Sequence, residues 1–245
     1  MTDRRDAPEE RVTAVVLAAG QGARFGTGRN KVFLEIGDRT LLAHALLAFA
    51  SEEAIQDLVL VLRAGDEKAV QAVLQAISKP VRLVHGGKRR QDSSLAGVTA
   101  AHDGIVLVHD AARPFPSPRL IHRVIEGVRQ HGACVPAVRV SGTLRYAGEN
   151  GRLLPGGVDR RDLLEMQTPQ GFRRDVLLDA LRAASGDVTD DAEAVLALGK
   201  EVFAVPGEAT NLKVTTPEDL VLARGIASLR SGWDGRVEAS EGTSR

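Results

Sequence analysis

The sequence predicts an α/β fold in which a mostly parallel sheet carries helices on both faces. Short apolar runs rich in β-branched residues alternate with longer segments of helical periodicity, as in chains built from βαβ units. The chain has 245 residues, enough to bury a large core without disulfides or a structural metal. We therefore expect a single Rossmann-like domain over residues 12–230, between a flexible N-terminus at 1–11 and a disordered tail at 231–245.

Six apolar runs predict the strands, and the segments between them predict helices. The expected strands are residues 13–17, 58–62, 81–84, 104–108, 133–138 and 201–205. Apolar residues recur at helical spacing in residues 41–50, 67–77, 95–101, 119–129, 175–184 and 191–198. A last helix is expected from Pro217 to about residue 229, because Thr216 is a suitable N-cap and acidic residues follow at the positive end of the helix.

A stretch rich in glycine and charge, residues 141–161, has too few apolar residues to fill a layer of this sheet. With its flanks it predicts a protruding β-arm at about 139–161. Inserts of about 20 residues in compact domains are usually functional or bound to a partner, so one hypothesis is that the arm reaches a second subunit. The alternative is a surface loop without a partner.

Composition excludes several classes of protein. Lysine and arginine together number 32, as do aspartate and glutamate, so the chain has no net basic field for nucleic acid or anionic membranes. Aromatic residues make up 3% and provide few platforms for stacking bases. No apolar run approaches the roughly 20 residues of a membrane span, and the charged start is unlike a secretion signal. Because the net charge is zero, any binding of anions is expected to be local. The single cysteine, Cys134, lies in an apolar stretch and predicts a buried thiol, so we expect a cytoplasmic protein.

The segment after the first predicted strand is a candidate phosphate site. Residues 17–26 read LAAGQGARFG, and open α/β sheets bind ligands at the carboxyl ends of their strands. Small side chains let backbone N–H groups approach an anion, and Arg24 and Lys31 add positive charge. The glycine spacing matches neither the P-loop nor the dinucleotide-binding pattern. A tight turn that carries two solvated cations is therefore an alternative to a phosphate cradle.

Several further segments match one family in the same order. They are LAAG at 17–20 with Arg24, NKVF at 30–33, GG at 86–87 with RQDS at 90–93, HDAARP at 109–114, QTPQ at 167–170, TDDA at 189–192 and NLKVT at 211–215. Over residues 13–229 the chain resembles the 2-C-methyl-D-erythritol 4-phosphate cytidylyltransferases of the non-mevalonate isoprenoid pathway. The resemblance implies a Mg²⁺-dependent transfer of a cytidylyl group from CTP to a small phosphorylated polyol, with pyrophosphate leaving.

The resemblance also implies three groups of site residues. The implied catalytic cations are Arg24, Lys31 and Lys213. The implied CTP-binding residues are Ala18, Ala19, Gly20, Gly22, Gly87, Arg90, Ser93, Asp110 and Ala111. The implied acceptor-binding residues are Arg113, Thr143, Arg160 and Thr189, of which Thr143 and Arg160 would reach the site from the neighbouring subunit of a homodimer.

The residues themselves leave alternatives open at several of these positions. Asp110 ends an apolar strand, where a buried carboxylate needs a cation, so it predicts either a Mg²⁺ or substrate contact or a structural ion pair with Arg113. Lys213, in a strand-like context, needs an anion. Ser93 is also a candidate helix N-cap, and Thr189 precedes two aspartates that suit a helix start without any ligand.

The chain departs from the family pattern in the arm, with Arg139, Gly142 and Gly157 replacing commoner residues, and Asn30 stands where proline is usual. Because the arm would read the acceptor, ribitol 5-phosphate or another polyol phosphate is an alternative substrate to 2-C-methyl-D-erythritol 4-phosphate. A second alternative is a catalytically silent CTP-binding regulator. A nucleic-acid module is disfavoured by charge and composition.

Overall fold

The computed structural model describes residues 10–20 and 30–232. The expectations for residues 1–9, for the tail from 233 onward, and for Gly22 and Arg24 lie outside the described residues.

Within these two described ranges the architecture is an eight-stranded mixed sheet with a separate two-stranded hairpin. In chain order the strands are β1 (Val12–Leu17), β2 (Glu35–Ile36), β3 (Arg39–Thr40), β4 (Asp57–Leu62), β5 (Val81–His85), β6 (Ile105–Asp110), β7 (Ala133–Arg139), β8 (Leu164–Met166), β9 (Gln170–Arg173) and β10 (Phe203–Pro206). The helices are α1 (Leu41–Ala50), α2 (Glu67–Gln75), α3 (Arg90–Ala100), α4 (Pro118–His131), α5 (Arg174–Ala183), α6 (Asp191–Ala197) and α7 (Pro217–Gly232). The main sheet has the order β10-β7-β9-β6-β1-β4-β5, with β8 paired to β7, while β2 and β3 form the hairpin.

Helices cover both faces of the sheet, as predicted. In β1, Val12, Ala14 and Val16 join the core under α1, α2 and α4, whereas Val15 joins the core under α3, α5 and α6. This alternation follows from the two-residue period of a strand. Each of the six predicted strands is present with its ends within about two residues of the prediction.

The sheet is not wholly parallel, because β9 runs antiparallel between β6 and β7 and β8 runs antiparallel to β7. Strands β8 and β9 and the β2–β3 hairpin were not predicted from the sequence. In β9, Gly171 permits close packing, since a Cβ there would lie 2.6 Å from a Val128 methyl and 2.7 Å from a Val124 methyl of α4. A short strand that begins with glutamine and contains glycine gives little apolar signal.

The structure also bears on the predictions for Lys213, for the helix at 95–101 and for Cys134. The strand-like context of Lys213 is not a strand but an extended loop, held where the Val214 N–H donates to the Ala112 carbonyl. The helix expected at 95–101 begins earlier, at Arg90. Cys134 is buried and free, as predicted. It packs so closely on Gly127 of α4 that a larger side chain at position 127 would clash with the thiol.

The segment between β7 and β8 is exposed along most of its length. An antiparallel bridge joins Ala147 to Leu153 around a single 3-10 turn, Glu149–Gly151. At its base the Arg139 guanidinium donates to the Arg161 carbonyl at 3.0 Å. Among residues 10–20 and 30–232, no helix is long and apolar enough to cross a membrane.

Candidate active site

The candidate site forms where two neighbouring strands end. β1 and β6 are parallel, with Leu17 paired to Asp110, so the segment after β1 and the last residue of β6 lie at the same edge of the sheet. The carboxyl ends of parallel strands are the usual ligand-binding edge of open α/β sheets. The sequence prediction of a site at this edge therefore agrees with the geometry.

Backbone hydrogen bonds fix the segment after β1. The Ala18 N–H donates to a carbonyl of β4 at 2.8 Å, and the Ala111 N–H donates to a carbonyl of β1 at 3.0 Å. An amide that already donates inside the protein is not free to bind a phosphate. Within the described part of this segment, Ala19 and Gly20 are left as backbone donors for the predicted cradle, and Gly22 lies outside it.

Two small cavities lie side by side at this edge, and both are lined by Arg90. The first has a volume of about 160 Å³ and is lined by Leu17, Ala19, Gly20, Gly87, Lys88, Arg89, Arg90 and Ser93. The second has a volume of about 170 Å³ and is lined by Arg90, Asp110, Arg113, Met166, Gln167, Thr168, Gln170, Thr189, Asp190 and Lys213. The fold thus gathers several residues predicted for CTP in one cavity and several predicted for the acceptor in the other.

Asp110 is held by two cations at the boundary between these cavities. The Lys213 Nζ lies 2.6 Å from one carboxylate oxygen, and the Arg90 Nε lies 3.3 Å from the other. Burial alone would raise the pKa of Asp110, but Arg90 and Lys213 outweigh it and hold that pKa far below its ordinary value. Asp110 is therefore a carboxylate at neutral pH, and Lys213 meets the anion that its sequence context required.

The interpretation of Asp110 and Arg113 as an ion pair is wrong. The buried Arg113 guanidinium donates instead to the carbonyls of Asn211 at 2.7 Å and Met166 at 3.3 Å. Burial lowers the pKa of Arg113 from its ordinary value. Its buried Nε–H has no acceptor among the described residues, and the residue lines the second cavity.

His109 serves as a neutral brace beneath Asp110. Its Nε2 lies 2.8 Å from the Arg113 carbonyl, and its Nδ1 lies 3.0 Å from the Thr168 hydroxyl, which also accepts the Asp110 N–H at 3.2 Å. A carbonyl only accepts, so Nε2 carries the proton and Nδ1 accepts from Thr168. Burial lowers the pKa of His109 to about 4.

The glycine pair before α3 allows the turn to pack against the segment after β1. A Cβ on Gly86 would lie 2.5 Å from the Ala19 Cβ and 2.6 Å from the Ser93 Oγ, closer than real side chains approach. The Ser93 Oγ accepts the Gly87 N–H at 3.2 Å. Because α3 begins at Arg90, Ser93 lies in its first turn, and the interpretation of Ser93 as the N-cap is wrong.

Lys31 belongs to a short 3-10 helix, Lys31–Phe33, that begins after Asn30. Its Nζ donates to the Val214 carbonyl at 2.8 Å, next to Lys213. The buried Asn30 side chain donates to the Ala18 carbonyl at 2.7 Å and to Asp66 at 3.1 Å. The hydrogen bond to Val214 holds Lys31 against the loop that contains Lys213, although 182 positions separate the two lysines in sequence.

The start of α6 closes the second cavity. The Asp190 carboxylate accepts the Glu193 N–H at 2.8 Å as the N-cap, and the side-chain Oε1 of Gln170 accepts the N–H groups of Asp191 and Ala192 at 3.1 Å each. Thr189 donates to Glu193 at 2.7 Å and lines the cavity. Its capping and ligand roles are therefore compatible.

Asp191 lies beside the site but was not predicted as a site residue from the sequence. The sequence marks it only as part of a helix start, yet its carboxylate is fully buried, 2.8 Å from the Arg90 Nη2 and 2.5 Å from the Ser94 hydroxyl that donates to it. Burial would lower the pKa of Arg90, but Asp191 and Asp110 outweigh it and raise that pKa. No local signal marks this partnership, because Asp191 lies 101 positions from Arg90.

The arm residues do not reach either cavity within one chain. Thr143 and Arg160 are exposed, and the Arg160 guanidinium donates to the Ser141 carbonyl inside the arm. Neither residue lines the two cavities. Their predicted acceptor role would therefore require a second subunit and stays a prediction.

The described side chains could bind a divalent cation through one carboxylate, but they do not form a complete metal cage. No three histidine, cysteine, aspartate or glutamate side chains among residues 10–20 and 30–232 converge as a metal cage. Mg²⁺ is commonly held by one or two carboxylates together with substrate phosphates and water. Asp110, an ionised carboxylate at the lining of the second cavity, suits that mode of binding.

Comparison with known proteins gives one consistent family. A family model described as "IspD: 2-C-methyl-D-erythritol 4-phosphate cytidylyltransferase" matches residues 12–228. The protein of that name from Geobacillus kaustophilus (strain HTA426) is 40% identical over 223 residues, which cover 89% of this chain and 97% of the relative. The "Bifunctional enzyme IspD/IspF" from Anaeromyxobacter sp. (strain Fw109-5) is 41% identical over 224 residues, 89% of this chain but 58% of the relative's length. The crystal structure of the 2-C-methyl-D-erythritol 4-phosphate cytidylyltransferase from Thermus thermophilus has a TM-score of 0.74 and 37% identity, covering 89% of this chain and 99% of that one.

Proposed function

The chain belongs to the 2-C-methyl-D-erythritol 4-phosphate cytidylyltransferase family, and from this premise we propose that it transfers the cytidylyl group of CTP to 2-C-methyl-D-erythritol 4-phosphate. A phosphate oxygen of the acceptor attacks the α-phosphorus of CTP, and a new P–O bond forms. The bond from the α-phosphorus to the bridging oxygen breaks, so pyrophosphate leaves with its electron pair. The products are 4-diphosphocytidyl-2-C-methyl-D-erythritol and pyrophosphate, in the supply of isoprenoid precursors.

The observation that carries the proposal is the position of the cations around Asp110. Arg90 and Lys213 contact this carboxylate, and Lys31 is fastened to the residue after Lys213. Transfer between phosphates needs positioning and neutralisation of negative charge more than it needs a proton donor. A fixed group of cations between two cavities suits the meeting of a triphosphate with a second phosphate.

We assign each group a separate task. Lys31 and Lys213 would stabilise the charge that develops on the α-phosphate and on the leaving pyrophosphate, together with Arg24 from the segment outside the described residues. Arg90 lines both cavities and would bind the nucleotide. Asp110 would hold Mg²⁺, which when bound supplies further neutralisation of the phosphates.

A homodimer is the proposed assembly, with the arm of one subunit at the site of the other. Large apolar side chains lie exposed on the arm, with Tyr146 60% and Leu153 67% accessible. Exposed apolar groups of this size favour burial against a partner. The arm also carries Thr143 and Arg160, which would complete the acceptor site. Because CTP is an intracellular metabolite and Cys134 is a free thiol, the proposed compartment is the cytoplasm.

The test measures pyrophosphate release with CTP and Mg²⁺ and compares 2-C-methyl-D-erythritol 4-phosphate with ribitol 5-phosphate. We expect the larger kcat/KM with the former. A larger value with ribitol 5-phosphate would replace the named acceptor. Binding of CTP by calorimetry without turnover on any polyol phosphate would instead identify a silent nucleotide-binding protein. An Asp110→Asn variant is the matched control for turnover that depends on the site.

A further inference from the structure

The carboxylate of Asp191 is buried beside the site in a position that helix capping does not require. At the start of α6, Asp190 accepts one backbone N–H and Gln170 accepts two, including the N–H of Asp191 itself. The Asp191 side chain lies elsewhere, between Ser94 and Arg90 of α3. Its role is therefore a contact between the two helices and not the cap of its own helix.

The position of the Arg90 guanidinium is fixed by two carboxylates from different elements. Its Nη2 lies 2.8 Å from Asp191 at the start of α6, as an ion pair without hydrogen-bond alignment, and its Nε lies 3.3 Å from Asp110 at the end of β6. Its Nη1 makes no hydrogen bond with the described residues. Arg90 lines both cavities, so this nitrogen remains for a ligand.

Burial makes the contact between Asp191 and Arg90 energetically significant. The Asp191 side chain has no accessible surface, whereas the Arg90 side chain is 25% exposed at the cavities. A buried carboxylate without a counter-charge is strongly destabilising, so Asp191 restricts where the guanidinium can lie. The side chain of a free arginine would otherwise adopt many rotamers and lose entropy when it binds a ligand.

We propose that Asp191 is a positioning residue for nucleotide binding: through Arg90, it orders the guanidinium that contacts CTP. The inference rests on the proposed function, since it takes Arg90 as a nucleotide ligand. Asp191 itself does not touch the substrate. Its contribution is to hold Arg90 in its binding position before CTP arrives.

The first variant is Asp191→Asn, which keeps the shape of the side chain and an oxygen for the Ser94 hydroxyl but removes the charge. We expect the Kd for CTP, measured by calorimetry without acceptor, to rise by about tenfold, equivalent to about 1.4 kcal/mol. The KM for CTP should rise with it, while kcat at saturating CTP changes less than about threefold. Ser94→Ala is the matched control, because it removes a hydrogen bond to the same carboxylate and leaves the ion pair in place. Its Kd should stay within about twofold of the parent value.

A second variant keeps the proposal testable if Asp191→Asn does not fold. Arg90→Lys retains one positive charge but has no planar fork to meet two carboxylates at once, and it should weaken CTP binding to a similar extent. In an Arg90→Ala background, Asp191→Asn should cause no additional loss of CTP affinity. An unchanged Kd in Asp191→Asn or in Arg90→Lys, or losses that add fully in the double variant, would overturn the positioning role. A lowered Tm with normal CTP affinity would assign Asp191 to stability alone.

The two proposals can fail separately. Calorimetric binding of CTP does not involve the acceptor, so the wild-type protein can bind CTP and support the inference even if it fails to use 2-C-methyl-D-erythritol 4-phosphate. If the wild-type protein does not bind CTP at all, the proposed function fails first, and Asp191 loses its assigned role with it.

Discussion

Replacing Asn30 with alanine should impair both the stability of the fold and the reaction. Asn30 is 2% exposed, and its amide donates to the Ala18 carbonyl at 2.7 Å and to Asp66 at 3.1 Å. Its oxygen accepts the Val32 N–H at 3.3 Å. These contacts fasten the segment after β1 to the turn that begins with Lys31.

The size of the effect follows from what the alanine leaves behind. The Ala18 carbonyl and the Asp66 carboxylate each lose a buried donor, and each loss costs about 1–3 kcal/mol. Asp66 keeps Arg63 at 3.0 Å, which limits its share of the loss. We therefore expect the free energy of unfolding to fall by about 2–4 kcal/mol. At about 2–4 °C per kcal/mol for a chain of this length, the Tm should fall by about 4–16 °C.

Activity should fall with stability, because Lys31 directly follows Asn30. We expect kcat for pyrophosphate release to drop by about tenfold at a temperature where the variant is folded. Asn30→Asp is the matched control: it retains the acceptor for the Val32 N–H but replaces the donating amide with a second carboxylate against Asp66. It should be at least as unstable as Asn30→Ala. A wild-type Tm and kcat for Asn30→Asp would refute the claim that amide donation organises this turn.

Three more substitutions test other parts of the structure. Lys31→Ala should lower kcat by about 10² with a smaller change in CTP affinity. If sites are shared between subunits, mixing this variant with an Arg160→Ala chain should restore part of the activity, as measured by steady-state kinetics. If no activity returns, each subunit has a self-contained site. Burial lowers the pKa of His109 to about 4, and a base whose pKa is lower in the folded than in the unfolded state destabilises the fold as pH drops below its unfolded pKa of about 6.5. Chemical denaturation should therefore show that the parent protein loses about 2 kcal/mol more than His109→Gln between about pH 7.5 and 5, and equal losses would contradict the buried neutral imidazole. Gly97→Ala places a Cβ against methyl groups of Val15 and Val61, and overpacking of about 1–3 kcal/mol should outweigh the helix propensity gained; an unchanged Tm would show that the sheet yields to α3.

The local parts of the site were predictable, because each depends on neighbours in sequence. Apolar runs predicted β1 and β6, and their ends placed the segment after β1 and Asp110 at one edge. The partner of Asp110 was not predictable from spacing. Arg113 lies three positions away and was the obvious cation, yet its guanidinium contacts backbone carbonyls instead.

The other contacts of the site join residues that are far apart in sequence, and these were not predicted. Lys213 meets Asp110 across 103 positions, and Asp191 meets Arg90 across 101. Acidic residues at a helix start are explained by the helix dipole alone. The sequence therefore gives no sign that the Asp191 carboxylate has a distant partner. β9 was missed for a similar reason, because its few polar and small residues become a strand only when β6 and β7 lie on either side.

The burial of Cys134 has a practical consequence for attaching this protein to a surface or a dye. Burial raises the pKa of its thiol to about 11, so it will react poorly with alkylating reagents at neutral pH. Asp103 is exposed in the turn before β6, at the rim opposite the two cavities. A cysteine introduced there would be labelled selectively, and an immobilised molecule would present both cavities to the medium.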